Sequence, residues 1–198
     1  AIIEYMNELT QTEMKDYYRP NFWPNTHDIN PYYLQDGNEN SFIIRYFMAA
    51  TLSSNYGIFG PVYELLYHDP YPGKEEYLNS EKYEVRHWDW GKRNRLTEVI
   101  TKVNAARKVN PALQNTNNIK WCSIDNDQML AYHKKTGDND ILCIVKLDPH
   151  NKQFGHVQVP IYELGLHPGD EYQVFDIITG NTYTWNQEWN YVQLEAWD

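Results

Sequence analysis

The feature that most constrains this chain is a change of pattern near Gln114. Upstream, helical stretches alternate with strand-length ones. Downstream, only strand-length runs remain: "IKWCSI", "QMLAYHKK", "ILCIVKL", "HVQVPI", "EYQVFDIIT", "NTYTW" and "NYVQLEA". They are divided by "DND", "TGDND", "DPHNK", "HPGD" and "TGN", whose Asp, Asn, Gly and Pro favour tight turns. Short β-rich runs at this spacing predict an all-antiparallel β domain over residues 115–198. "ILCIVKL" is continuously apolar, as expected of a central strand covered on both faces.

The upstream part, residues 1–114, reads as helix, strand, helix, strand, helix. In "AIIEYMNELTQTEMKDYY", Ile2, Ile3, Met6, Leu9 and Met14 recur at near-helical spacing, and Pro20 stops the run. "NFWPNTHDI" reads as a short strand entering a loop. "SFIIRYFMAATLSSNYG" is a second helix, with Ser41 as its N-cap and Gly57 past its end. Its Ile43, Ile44, Phe47, Met48 and Leu52 fill more than one stripe, which predicts deep burial. "YGIFG" is a brief buried strand. In "NRLTEVITKVNAARKVNP" a third helix is lined by Leu96, Val99, Ile100, Val103 and Ala106 and closed by Pro111. Between the last two lies a long irregular stretch, residues 61–91, too long for a passive connection and too aromatic for disorder. Taken alone the chain is α+β. Two parallel strands do not make a sheet by themselves, so residues 1–114 read as the tail of a larger β/α repeat.

Composition narrows the partners. A net charge of −10 and a pI near 5.1 argue against nucleic acid or an anionic membrane surface, both of which favour basic patches. No apolar run is long enough to span a bilayer, and no basic-then-apolar leader is present in a chain that begins at Ala1. Cys122 and Cys143 sit in apolar runs without metal-ligand spacing, which predicts buried free thiols, a reducing compartment and the cytoplasm. The sequence offers no zinc, calcium or phosphate-loop motif, so no metal or cofactor is expected. With 17 Tyr and 7 Trp, the chain is rich in rings that carry a polar handle, suited either to interior rims or to stacking on sugars.

One segment stands out, "RPNFWPNTHDINPYYLQ", in which His27 and Asp28 are adjacent. Read from residues alone, Asp28 is either a turn or cap residue ahead of "INPYYLQ" or a carboxylate delivered to a site. Lys82 and Tyr83 in "NSEKYE" are either a solvated lysine beside a packing tyrosine or a ligand pair. Arg86, His87 and Trp88 build a wall nearby; Glu64, Glu75, Glu76 and Glu81 have no spacing that recommends them, and the remaining histidines are scattered.

The ordered series "NFWPNTHDI", "ATLSSNYGIFG", "EEYLNSEKYEVRHWDW", "LTEVITKVNAARKVNPAL", "LDPH" and "VFDIITGNTYTW" resembles the C-terminal part of the α-amylase family, glycoside hydrolase family 13. Within it, the series is most similar to the α-1,4-glucan:maltose-1-phosphate maltosyltransferases. The resemblance implies that residues 1–114 are the end of a (β/α)8 barrel, from helix six to helix eight, and residues 115–198 the β-sandwich that follows it. Asp28 then falls at the end of strand seven, where the family's third carboxylate binds the distorting sugar ring and stabilises the transition state. His27 matches the residue that hydrolases of the family often carry there, whereas the maltosyltransferases more often have Pro. Lys82 and Tyr83 match a pair that binds the donor sugar. The nucleophile and general acid/base would lie on strands four and five, before Ala1, leaving this chain inactive alone. The implied reaction is transfer of maltosyl units from maltose 1-phosphate to an α-1,4-glucan with retained configuration. The alternatives are a fragment of an amylase-type hydrolase and a non-catalytic carbohydrate-binding module using Trp185 or Trp189. A homo-oligomer is expected, because the second and third helices would lose barrel partners and expose apolar faces.

Overall fold

The computed structural model describes residues 1–79 and 84–196. Lys82, Tyr83 and Glu81 therefore lie outside the described residues. The order is α1 (Ile2–Gln11), α2 (Met14–Tyr17), α3 (Glu39–Leu52) and α4 (Arg95–Val109), then β1 (Ile119–Cys122), β2 (Met129–Thr136), β3 (Asn139–Lys146), β4 (Gln153–Gln158), β5 (Tyr172–Phe175), β6 (Thr182–Trp185) and β7 (Trp189–Leu194).

The first helical stretch is broken rather than continuous. Thr12 takes an extended backbone, its Oγ1 donating to Glu8 O and accepting from Met14 N, so a side chain competes with the helical ladder at that point. Met6 and Leu9 turn inward, while Ile3 stays exposed. α3 begins one turn earlier than Ser41 suggested. Asn38 is its N-cap, accepting from Asn40 N, and Ser41 is buried inside the helix. The helix ends at Leu52, well short of Gly57. Its burial runs all round, as its several apolar stripes required: Phe42, Ile43, Ile44, Tyr46, Ala49, Ala50 and Leu52 are all interior. The apolar face expected to be left bare on this helix is covered within the chain. α4 opens with a capping box between Asn94 and Thr97 and buries Leu96, Val103 and Ala106, with Val99 and Ile100 packed at the edge.

All seven predicted strands form, in antiparallel pairs. β1–β2–β3 make one sheet, β4–β7 a ribbon and β5–β6 a second ribbon. β3 is a correction: β2, not the apolar β3, is the middle strand. β3 is apolar on both sides for another reason. Cys143 and Val145 face the helices, while Leu142 and Ile144 face the β4–β7 layer with Ala131, Val157 and Val192. Past β1 the chain changes sheets, Ile124 pairing with Val157 on β4.

One core crosses residue 114. Met6, Leu9, Ile44, Leu52 and Ala106 from the helices pack with Ile119, Tyr132, Cys143 and Val145 from the sheet. Polar groups at this seam are paired. Arg107 donates to the carbonyls of Ala50, Ser53, Ser54 and Leu113, and the fully buried Lys134 donates to Thr51 O at 2.9 Å. Two cations thus satisfy the last carbonyls of α3, where the helix dipole is negative. Tyr132 OH lies 2.5 Å from Thr51 Oγ1 and closes the same seam. Cys143 is buried and Cys122 half-buried, both free.

Candidate functional site

The expected strand at "NFWPNTHDI" is reduced to a single parallel bridge. Phe22 pairs with Tyr56 through Phe22 N to Asn55 O and Gly57 N to Phe22 O. The two segments run in the same direction with α3 between them, a β–α–β arrangement in miniature. Gly57 is needed there for space, since a Cβ would stand 2.4 Å from the Trp23 ring.

The chain leaves this bridge as an irregular loop held by two buried asparagines. Asn25 donates to Phe59 O at 3.2 Å and Tyr77 OH at 2.9 Å, and accepts from Phe59 N at 3.0 Å. Asn30 donates through its side chain to His68 O at 2.8 Å and through its backbone to Glu75 O at 2.9 Å. Arg45 of α3 reaches Pro24 O. Between these anchors, Thr26 Oγ1 accepts from Ile29 N, and Thr26 N donates to Ile29 O. The loop needs this bracing because it has no ladder of its own.

His27 and Asp28 sit at the crest, with His27 Nε2 2.9 Å from Asp28 Oδ2; the two side chains are 60% and 46% exposed. The turn chemistry belongs to Thr26, and the short 3-10 turn Tyr32–Leu34 starts at Pro31 with no side-chain cap. Asp28 is therefore not that turn's cap, and its carboxylate faces outward beside an imidazole. Among the described residues, no group of three or more His, Cys, Asp or Glu is placed to hold a metal. Among the described residues, no helix is long and apolar enough to cross a membrane.

Rings line the ground next to the pair. The His27 ring meets Phe59 edge-on at 6.2 Å, Phe59 lies 6.5 Å from Tyr77, Tyr77 stacks on Tyr67 at 6.0 Å, and Tyr67 meets Trp88 at 5.9 Å. Arg86 lies over Tyr67 and Trp88 at 4.5 and 5.6 Å and donates to Tyr67 OH at 3.1 Å. Burial raises the Tyr77 phenol to about 12, so it stays protonated and remains a donor as well as an acceptor beside Asn25. Phe59, Tyr67, Tyr77 and Trp88 thus form an aromatic wall that reaches the Asp28 loop. Sequence reasoning named His27 and Asp28, but missed Asn25, Asn30, Phe59 and Tyr77. Only the proximity of Asn25 to His27 within one motif hinted at any of them.

This arrangement of antiparallel sheets set against helices is the fold found in part of two α-amylase structures. A maltogenic α-amylase, AmyB from Thermotoga neapolitana, superposes with a TM-score of 0.65 at 12% identity, over 98% of this chain and 43% of that one. AmyP E221Q in complex with maltotriose gives 0.65 at 14% identity, over 98% and 42%. Sequence is more specific. Residues 121–198 match the family model described as "GLGE, C-terminal". Over 96% of its length the chain is 50% identical to the α-1,4-glucan:maltose-1-phosphate maltosyltransferase of Chlorobaculum tepidum and 47% identical to that of Methylacidiphilum infernorum. Over 98% it is 40% identical to that of Cereibacter sphaeroides. The chain is thus a homologue of part of these maltosyltransferases, and it spans about 30% of the length of the curated relatives it matches.

Proposed function

We propose that this chain is the C-terminal part of an enzyme that transfers maltosyl units from maltose 1-phosphate to the non-reducing end of an α-1,4-glucan. The observation that carries this reading is the 40–50% identity to maltosyltransferases over nearly the whole chain. In this reading residues 1–114 are the closing elements of a (β/α)8 barrel and residues 115–198 its β-sandwich. The parallel bridge between Phe22 and Tyr56 around α3 supports it, because successive barrel strands are parallel and joined by a helix.

The site follows the same logic. Asp28 lies six residues past the bridge and is the carboxylate that hydrogen-bonds the hydroxyls of the sugar ring as it flattens. It stabilises the oxocarbenium-like transition state more than the ground state. His27, 2.9 Å away, orients that carboxylate and contacts the same sugar. The rings of Phe59 and Tyr67, backed by the buried Tyr77, pack beside the loop that carries the pair. Lys82 and Tyr83 bind the donor, the lysine serving its anionic phosphate. The nucleophile and acid/base belong to the remainder of the enzyme, so the chain alone turns nothing over. A cytoplasmic setting goes with two unpaired thiols. A homo-oligomer is supported by exposed rings on and beside the first helices, Tyr5, Tyr17, Tyr18 and Trp23.

His27 favours a second reading, an amylase-type hydrolase. The two are separated by incubating the full-length enzyme with maltose 1-phosphate and glucan. Phosphate release matched by polymer extension supports the transferase. New reducing ends without phosphate dependence would replace it with the hydrolase.

A further inference from the structure

The outer face of the β4–β7 ribbon takes no part in the site above. Its register sets His156 opposite Tyr191 and Phe154 opposite Gln193, while the alternate residues Gly155, Val157 and Asn190 turn inward and are buried. Phe154, Tyr191 and Trp189 are 57%, 52% and 43% exposed, on an element whose other side packs normally. Trp189 and Tyr191, two residues apart on one strand, stand about 7 Å apart on one face. Tyr191 meets His156 edge-on at 5.7 Å and Phe154 at 6.3 Å, so the rings form one continuous floor.

A wall rises beside this floor. The turn at Asp125–Asp127 closes over β4, making an open groove of about 630 Å³ whose lining includes Phe154, His156 and Tyr191. Asp125 Oδ1 accepts from His156 N at 2.5 Å and its Oδ2 lies 2.9 Å from His156 Nδ1. Those contacts hold its carboxyl below the usual range, so the wall carries a fixed negative charge. Gly155 permits the close approach: a Cβ there would stand 2.7 Å from Asp125 Oδ1. Gln158 donates to Glu188 at 2.6 Å and Tyr191 OH to Gln193 at 2.9 Å, so amide and carboxylate groups border the rings.

An apolar floor of rings edged by amides and carboxylates suits a ligand with apolar faces and a rim of hydroxyls. The negative wall disfavours anions. We propose that the outer face of the β4–β7 ribbon binds a neutral α-glucan chain, holding the polymer at a surface that shares no residue with the Asp28 loop. The choice of α-glucan rests on the proposed function; the neutral, hydroxyl-rich chemistry rests on the groove. Trp185, by contrast, is partly buried and meets Tyr172 edge-on at 6.2 Å.

The test is affinity electrophoresis of the full chain through gels containing soluble glycogen. The chain should be retarded, and a Tyr191→Ala, Phe154→Ala double variant should bind about tenfold more weakly. Tyr191→Phe, which keeps the ring, should behave as wild type, and melting curves should show every variant folded. Unretarded wild type, or retardation that survives the double variant, overturns the proposal. If Asp28→Asn abolishes retardation while Tyr191→Ala does not, binding lies at the Asp28 loop, and this proposal falls while the functional reading stands. If the parent enzyme fails to release phosphate yet Tyr191-dependent retardation persists, the functional reading falls and the groove remains.

Discussion

The Asp28 loop and the β half of this chain are held in place by opposite means. The β half rests on ladders: each strand is paired residue by residue, and the apolar side chains between layers follow from the period-two pattern. The loop at residues 24–30 has one bridge behind it and no ladder. Its position depends on two buried amides, Asn25 and Asn30, whose partners lie between 34 and 52 residues further along. An irregular segment can be fixed firmly by a few buried polar groups that find distant partners. The cost is vulnerability, because no neighbouring bond compensates when one anchor is lost.

That contrast sets out what should break each half. The largest effect on stability is expected where helices and sheet share a core. Leu52→Ala should destabilise the chain by about 2–5 kcal/mol, read by denaturant unfolding. Because Leu52 packs with residues from both sides of position 114, helical and aromatic signals should fall in one coincident transition. Separate transitions would show two independent units instead. Next in size is Asn25→Ala, which strands Phe59 N and the Tyr77 hydroxyl and should cost about 1–3 kcal/mol. The near-UV signal of the aromatic wall should change as well, since the loop and Tyr77 lose their common anchor.

A smaller effect concerns Lys134. Burial depresses its ammonium to about 8, so between that pH and the ordinary lysine value the unfolded chain binds more protons than the folded one. Stability therefore rises as pH climbs from about 8 to the ordinary lysine value, and that gain is lost again as pH falls back toward about 8. From pH 7 to 9, wild type should gain about 1 kcal/mol relative to Lys134→Met in paired urea titrations. A flat difference would mean that water reaches the ammonium. Smallest of all, His27→Ala should leave stability within about 0.5 kcal/mol, because its side chain is mostly exposed.

Much of this architecture was legible in the sequence, for identifiable reasons. The seven strands announced themselves through period-two runs and turn residues, and α4 through one apolar stripe. Ser41 misled because an N-cap is a matter of backbone geometry: Asn38, three residues earlier, has the extended conformation and the free amides ahead of it. β3 misled because an apolar run reports cover on both faces, and at a sheet edge a helix layer and a second sheet provide that cover equally well. His27 and Asp28 were legible as a pair. The amides beneath them were not, because long-range hydrogen bonds leave no periodic trace.

The proposed role of Asp28 in stabilising the transition state is tested most directly by kcat for phosphate release by the full-length enzyme carrying Asp28→Ala. A loss of about 10²–10³-fold is expected, with the unfolding curve unchanged. Wild-type turnover in that variant would contradict it, and so would a loss of activity that merely tracks a loss of fold.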